Sequence, residues 1–165
     1  MLLDFAGNDK YNGVWYVQGA SAHFAIGIFH DYSGNDTYSA TMNMAQGAGH
    51  DFSIGYLLDD AGNDVYTAPN LSLGASNAAG IGIFIDRAGD DRYISSGATL
   101  GKANSIKPSI ERALSLGLGL FLDLGGNDIY PESCPWAKNG ASVVNWTDRG
   151  ENPWESTVGI FVDKP

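Results

Sequence analysis

The segment LLDDAGNDVY at residues 57–66 decides the fold of this chain. It contains an apolar run, an aspartate, two residues, the triplet Gly-Asn-Asp, one residue and a tyrosine. Related segments occur at 2–11, 28–38, 84–93 and 121–130, and a sixth begins at 159–163. The leading aspartates follow one another at intervals of 27, 28, 27, 37 and 40 residues: Asp4, Asp31, Asp59, Asp86, Asp123 and Asp163. Such a period indicates one supersecondary unit that is repeated and that buries its apolar face against its neighbours.

The rest of each repeat favours β structure. Glycines recur four residues before the leading aspartates from Asp31 onward and again after the tyrosines, and no 3.6-residue periodicity is present. About nine residues per side accommodate a strand and a turn, so three sides fit one repeat. The sequence therefore predicts an all-β chain that forms a parallel β-solenoid (β-helix) of about five coils of ~27 residues. We expect a single domain over 1–165, a module or fragment of a longer protein, with inserted loops at one corner, 102–118 and 141–158.

Equivalent positions of the repeats are expected to stack as ladders. The motif tyrosines form one such column, with Tyr38 predicted to lie between Tyr11 and Tyr66. A second column contains Phe84, Phe121 and their equivalents, and both are interpreted as core. The positions that flank the second column are also apolar, which is typical of a strand that is buried on both faces. We therefore expect a further segment, or a second copy of the chain, to cover that side.

The charge of the chain is concentrated in the repeated turns. The net charge is −10, and 13 of the 19 acidic residues lie in these turns or directly before them. Nucleic acids and anionic membranes bind basic patches, so the composition argues against both as partners. No apolar stretch reaches the length of a transmembrane helix, so membrane insertion is not predicted.

The turn sequence resembles the haemolysin-type calcium-binding (RTX) repeat. In the third repeat Gly62, Asp64 and Tyr66 match the fourth, sixth and eighth positions of that nonapeptide, and the other repeats match in the same way. The chain has aspartate where that family has its first glycine, and its repeat is longer than two nonapeptides. The resemblance implies that the aspartates and turn carbonyls of stacked repeats hold Ca²⁺ between them.

Electrostatics gives an independent reason to expect a cation. Two carboxylates about 4 Å apart repel each other by roughly 4 kcal/mol at an effective dielectric constant near 20. Hard oxygen ligands in a turn suit calcium better than zinc or copper. The alternative is that each side chain caps its own turn while its charge points into water. The candidate metal ligands are the acidic residues of the turns: Asp9, Asp31, Asp36, Asp59, Asp64, Asp86, Asp91, Asp123 and Asp128.

No catalytic constellation is predicted. The histidines His23, His30 and His50 occupy three different positions of the repeat, so they form no ladder. His23 falls in the same column as Asp51, one repeat away, which is either an acid–base pair or a coincidence.

The two insertions are predicted to lie side by side, because both leave the same corner of adjacent repeats. The first contains KPSIERALS at 107–115, in which a helical turn or two is expected after the proline. Together the insertions offer the most distinctive surface for a glycan or protein partner. Its candidate residues are Lys107, Glu111, Arg112, Trp146, Asp148, Arg149 and Trp154.

The even distribution of the recognisable chemistry favours a structural function. The leading hypothesis is a non-catalytic, ion-stabilised repeat module, extracellular or at a cell surface, that acts as a scaffold or adhesive domain. The alternative is a carbohydrate-active module, glycan-binding or lyase-like, whose tryptophans Trp136, Trp146 and Trp154 stack on sugar rings. Those tryptophans could equally cap the end of the repeats. Self-association through open ends or through the apolar strand face is a further expectation.

Overall fold

The computed structural model describes residues 1–104, 109–144 and 157–165. The described strands are short, and the described helix is a single turn. In chain order the elements are β1 (Leu2–Asp4), β2 (Lys10–Gly13), β3 (Ser21–Ala22), β4 (Ile26–Asp31), β5 (Thr37–Ala40), β6 (Gly49–His50), β7 (Ile54–Asp59), β8 (Val65–Thr67), β9 (Ser76–Asn77), β10 (Ile81–Asp86), β11 (Arg92–Ile94), α1 (Ile110–Ala113), β12 (Gly117–Asp123), β13 (Ser142–Val144) and β14 (Thr157–Asp163). The prediction of an all-β chain is therefore confirmed.

The prediction of a single parallel β-solenoid of five coils is wrong. The strands form three separate sheets of seven, four and three strands, in the orders β1-β4-β7-β10-β12-β14-β13, β11-β8-β5-β2 and β3-β6-β9. The largest sheet is mixed, because β13 pairs antiparallel to β14. Consecutive residues in the left-handed region, such as Asp51 and Phe52 (φ 54° and 57°), directly follow the short strands of the smallest sheet. Each repeat is thus divided among different sheets. The segment just before residue 145 forms β13, which lies beside β14, the last long strand.

Successive repeats nevertheless meet at equivalent positions. In the seven-stranded sheet Phe84 pairs with Leu57 on one side and with Phe121 on the other. The predicted tyrosine column is confirmed: the Tyr38 ring stacks on Tyr11 at 5.0 Å and on Tyr66 at 4.7 Å between ring centroids. These rings and the buried phenylalanines form one continuous core. Neighbouring repeats therefore present the same residue types to each other at fixed spacing.

The prediction that the largest sheet is buried on both faces is only partly met. In β10 the inward positions, among them Phe84 and Asp86, are buried. The outward positions Ile81, Ile83 and Ile85 are half-buried. The described residues thus leave part of this apolar face accessible, and what covers it in a larger assembly stays a prediction.

Glycine at the turn is required by the close approach of neighbouring repeats. A Cβ atom on Gly62 would lie 1.6 Å from the carbonyl oxygen of Gly34, and one on Gly89 would lie 1.5 Å from that of Gly62. Backbone atoms cannot yield by that amount, so no other residue fits at these positions. The motif glycine therefore sets how closely the acidic turns stack.

The segment after the last complete turn closes one end of the core. Trp136 packs edge-on against Phe161 at 5.3 Å, and Cys134 and Ala137 join the same core cluster. Asn139 Oδ1 accepts a hydrogen bond from the Asp128 backbone N–H at 2.8 Å, where the earlier repeats use an aspartate. Trp136 thus has the capping role that the sequence left open. Trp146 and Trp154 lie outside the described residues.

The first insertion is described only in part. Its helix α1 begins after Ser109, which accepts a hydrogen bond from the Arg112 backbone N–H, so the expected helical turn is present. The predicted contact between the two insertions falls largely on 105–108 and 145–156, outside the described residues. None of the described helices is long and apolar enough to cross a membrane. The assignment of the chain to one domain stays a prediction.

Candidate metal centre

Two columns of aspartate run through the stacked repeats. The strand-end column lies at the ends of the long strands, and its buried members are Asp31, Asp59, Asp86, Asp123 and Asp163. The turn column follows Gly-Asn or Gly-Asp, and its buried members are Asp36, Asp64, Asp91 and Asp128. Asp4 and Asp9, in the first repeat, are half-buried. The structure therefore buries nine carboxylates of two neighbouring columns, rather than pointing their charges into water.

The strand-end carboxylates have hydrogen-bond donors on both oxygens. Asp59 Oδ2 accepts from the Tyr38 hydroxyl at 2.6 Å, and Asp59 Oδ1 accepts from the Ala61 backbone N–H at 3.2 Å. Asp86 has the same two kinds of partner, the Tyr66 hydroxyl and the Ala88 N–H. The bond to the residue two positions later is the self-capping turn that was expected as the alternative to metal binding.

The turn carboxylates have a donor on only one oxygen. Asp64 Oδ1 accepts from the Asp36 backbone N–H at 2.6 Å, and Asp91 Oδ1 accepts from the Asp64 N–H at 2.7 Å. Each turn aspartate thus caps the preceding repeat and not its own turn. In Asp36, Asp64, Asp91 and Asp128 the second carboxylate oxygen is buried and accepts no hydrogen bond from the described residues. A buried carboxylate oxygen without a partner costs about 1–3 kcal/mol or more, so an unpaired oxygen in every buried turn calls for a partner.

The two columns converge into three groups of carboxylates. In each group one oxygen of every member lies within 4.8 Å of the others. The groups are Asp31 with Asp36 and Asp59, Asp64 with Asp86 and Asp91, and Asp91 with Asp123 and Asp128. Clustered carboxylate oxygens at this separation could hold a metal ion. Of the nine ligands predicted from the sequence, eight belong to these groups, and only Asp9 in the first repeat lies outside them.

The same environment makes ionisation without a cation unfavourable. Burial, together with the charge of Asp59, raises the pKa of Asp64 to about 8 despite the backbone hydrogen bond from Asp36. Burial also raises the pKa of Asp128 to about 8. The side-chain ion pairs to aspartate among the described residues involve Asp51 and Asp60, and none of them joins a column. Within this part of the chain, bound protons or added cations are what would neutralise the buried charge near neutral pH.

The predicted partner surface is only partly visible. Glu111 is exposed, and the Arg112 guanidinium pairs with Asp51. Five of its seven residues lie outside the described ranges: Lys107, Trp146, Asp148, Arg149 and Trp154. A partner site on this surface therefore stays a prediction.

The motif tyrosines have a polar function in addition to the predicted packing function. Their rings are core, as expected, but their hydroxyls bind the strand-end carboxylates, and Tyr130 binds both Asp123 and Asp163. The signal was present in the sequence, because all five complete motifs have tyrosine at this position and none has phenylalanine. A purely apolar column would not require that hydroxyl.

Comparisons of the chain with known protein families, with curated proteins and with solved structures find no match.

Proposed function

We propose that this chain is a non-catalytic scaffold module of stacked β repeats that is stabilised by cations bound between its two aspartate columns. The observation that carries the proposal is the unpaired buried oxygen repeated at Asp36, Asp64, Asp91 and Asp128. Each of these residues belongs to a group of three carboxylates. A catalytic site usually occurs once, whereas this arrangement recurs in successive repeats, as a structural element does.

Calcium fits this donor set best. All the candidate ligands are oxygens, which calcium and magnesium prefer and which zinc and copper sites seldom use alone. Calcium accepts six to eight oxygens at about 2.3–2.6 Å in irregular geometry, so carbonyls of the turns or water can complete its shell. Magnesium requires a regular octahedron and dehydrates reluctantly, which a buried column does not favour. The resemblance of the turns to RTX repeats supports the same ion.

An extracellular or cell-surface location follows from this proposal. Calcium sites of extracellular modules bind with dissociation constants of roughly 10⁻⁴–10⁻³ M, which match the calcium concentration outside cells. A scaffold that gains its rigidity there would suit an adhesive or spacer role. The glycan-binding alternative depends on Trp146 and Trp154, which lie outside the described residues, and it stays a prediction.

The proposal is tested by calcium removal. The purified chain is analysed for bound metal and melted in calcium and in a chelator, with Asp64→Asn and Asp90→Asn as matched variants. Asp90 has the same side chain in an adjacent repeat but is exposed. We expect bound calcium and a markedly higher melting temperature in calcium for the parent and Asp90→Asn, with a smaller gain for Asp64→Asn. No bound calcium together with an unchanged melting temperature would overturn the proposal.

A further inference from the structure

We propose that His23 and His50 form a second metal site, for a zinc-class transition metal ion, separate from the aspartate columns. His23 lies between β3 and β4 and His50 ends β6, so the two belong to adjacent repeats. Their ring centroids are 5.6 Å apart, with the ring planes at 75°. Two imidazoles that share a tetrahedral ion at about 2.0–2.1 Å per Zn–N bond have their centroids about 5 Å apart. The observed separation is close to that value.

The buried carboxylate of Asp51 orients the His23 imidazole for metal binding. Its Nδ1–H donates to Asp51 Oδ2 at 2.9 Å, and Asp51 Oδ1 accepts from Arg112 Nε at 2.7 Å. Burial alone would raise the pKa of Asp51, but the hydrogen bonds from His23 and Arg112 outweigh it and lower that pKa. In a neutral imidazole, the ionised Asp51 favours the tautomer with the proton on Nδ1, which leaves the lone pair on Nε2. The side chain of His23 is 70% exposed, so Nε2 is open to solvent.

This arrangement is the one that metal-binding histidines share. A ligating imidazole commonly donates its other N–H to a carboxylate or carbonyl, which fixes the tautomer and the ring orientation. Asp51 supplies that second interaction for His23 and is itself held by Arg112 from the first insertion. The residue pair His23–Asp51 that the sequence placed in one column is therefore a real contact, and its chemistry suits metal binding.

His50 has an amide partner at the equivalent ring atom. The Asn77 side-chain nitrogen lies 3.0 Å from His50 Nδ1, and the Asn77 amide oxygen is buried without a hydrogen bond among the described residues. An ion at Nε2 requires the proton on Nδ1, and Asn77 accepts that proton once its amide turns to present Oδ1. Burial lowers the pKa of His50, which favours the neutral imidazole that metal binding requires.

Nitrogen ligands select the class of ion. Imidazole suits zinc, nickel and copper, whereas calcium prefers the oxygens of the aspartate columns. Two protein ligands leave coordination positions for water or for a donor atom of a bound molecule. Tyr16 lies beside the pair, with its ring 6.4 Å from that of His50. The site would therefore bind its ion with moderate affinity and remain open to an external ligand.

The third histidine of the chain provides a matched control. His30 Nε2 lies 2.8 Å from Asp60 Oδ2, so the ring atom that is free in His23 is occupied in His30. His30→Ala removes the same side chain from a neighbouring surface without touching the proposed site. Asp64→Asn is a second control, because it alters the calcium columns and leaves the histidines intact.

The test is a Zn²⁺ titration of the intact chain in saturating calcium at neutral pH, followed by calorimetry and by long-range ¹H–¹⁵N spectra of the imidazoles. We expect one equivalent of Zn²⁺ to bind and the Nε2 resonances of His23 and His50 to shift together. His23→Ala and His50→Ala should each weaken binding at least tenfold, whereas His30→Ala and Asp64→Asn should leave it unchanged. Zn²⁺ binding that survives His23→Ala, or no binding by the folded chain, would overturn the proposal without affecting the calcium proposal.

Discussion

Asp59 and Asp64 are five residues apart and almost fully buried, yet their carboxylates are satisfied differently. Asp59, in the strand-end column, receives a tyrosine hydroxyl and a backbone N–H from within the protein. Asp64, in the turn column, receives one backbone N–H and keeps one buried oxygen without a donor. The described residues therefore satisfy both oxygens of the strand-end carboxylate but only one oxygen of the turn carboxylate. The turn column is therefore where the chain depends on its surroundings.

The difference separates two sources of stability. The strand-end carboxylates have hydrogen-bond donors on both oxygens without an ion, although burial raises the pKa of Asp59, Asp86 and Asp123 as well. The contribution of the turn column depends on calcium concentration and on pH, because both decide how its charge is neutralised. Variants of the two columns should therefore respond differently to the same changes of solution.

The largest loss is expected for Asp86→Ala in the strand-end column. This change leaves the buried Tyr66 hydroxyl and the Ala88 N–H without their acceptor. Each buried donor that is left without its acceptor costs about 1–3 kcal/mol. Urea denaturation should show this loss both in calcium and in chelator, with Asp90→Asn as control, because the amide keeps the oxygen that accepts the Asn127 N–H. A loss seen only in calcium would mean that Asp86 acts solely as a metal ligand.

The pH dependence of the metal-free chain should follow from the raised pKa values of the turn column. An unfolded aspartate ionises near pH 4, whereas burial raises the pKa of Asp91 to about 7 and of Asp64 to about 8. The folded state then binds more protons, so stability in chelator should be greatest below about pH 4 for these groups and fall as the pH rises through about 8. Urea midpoints measured between pH 5 and pH 9 check this. A midpoint that rises with pH would contradict it.

The effect of Asp64→Asn on stability should differ in sign between chelator and calcium. The amide keeps the oxygen that accepts the Asp36 N–H and removes one charge from the group. In chelator the variant should be at least as stable as the parent. In calcium at 100 times the dissociation constant the parent gains about 2.7 kcal/mol per site, and the variant should lack that gain. Melting curves under both conditions measure the difference, and a variant less stable than the parent by the same amount in both would argue for a purely structural role.

Tyr66→Phe should have a smaller effect that does not depend on calcium. The ring stays in the stack between Tyr38 and Tyr93, and only the hydrogen bond to Asp86 is lost. A typical intramolecular hydrogen bond contributes about 0.5–1.5 kcal/mol net. Urea denaturation should give equal losses in calcium and in chelator. Unequal losses would show that the tyrosine column and the ion sites act as one unit.

The sequence predicts those features that the repeat period controls. The pairing of Phe84 with Leu57, the stacking of the tyrosines and the grouping of eight of the nine candidate ligands all follow from equal positions meeting in adjacent repeats. The all-β class follows for the same reason.

Other features were not predictable. The left-handed residues that follow the strands of the smallest sheet recur with the repeat, at His23, Asp51 and Ala78, but they are not glycines, so the sequence did not mark these turns. The antiparallel β13 and the closing contact of Trp136 occur once, so no repetition announces them. Each turn aspartate has an unpaired oxygen because only its other carboxylate oxygen meets a backbone N–H of the neighbouring repeat. That arrangement is visible only in three dimensions.

A crystal structure of the chain grown in calcium, with anomalous scattering data, would decide whether a cation completes the turn column. We expect a calcium peak in the group of Asp64, Asp86 and Asp91, bonded to the free oxygen of Asp64 at about 2.3–2.6 Å. Equivalent peaks should occupy the two other groups. If no group has an anomalous peak and its carboxylates instead pair directly through shared protons, then no cation completes the turn column.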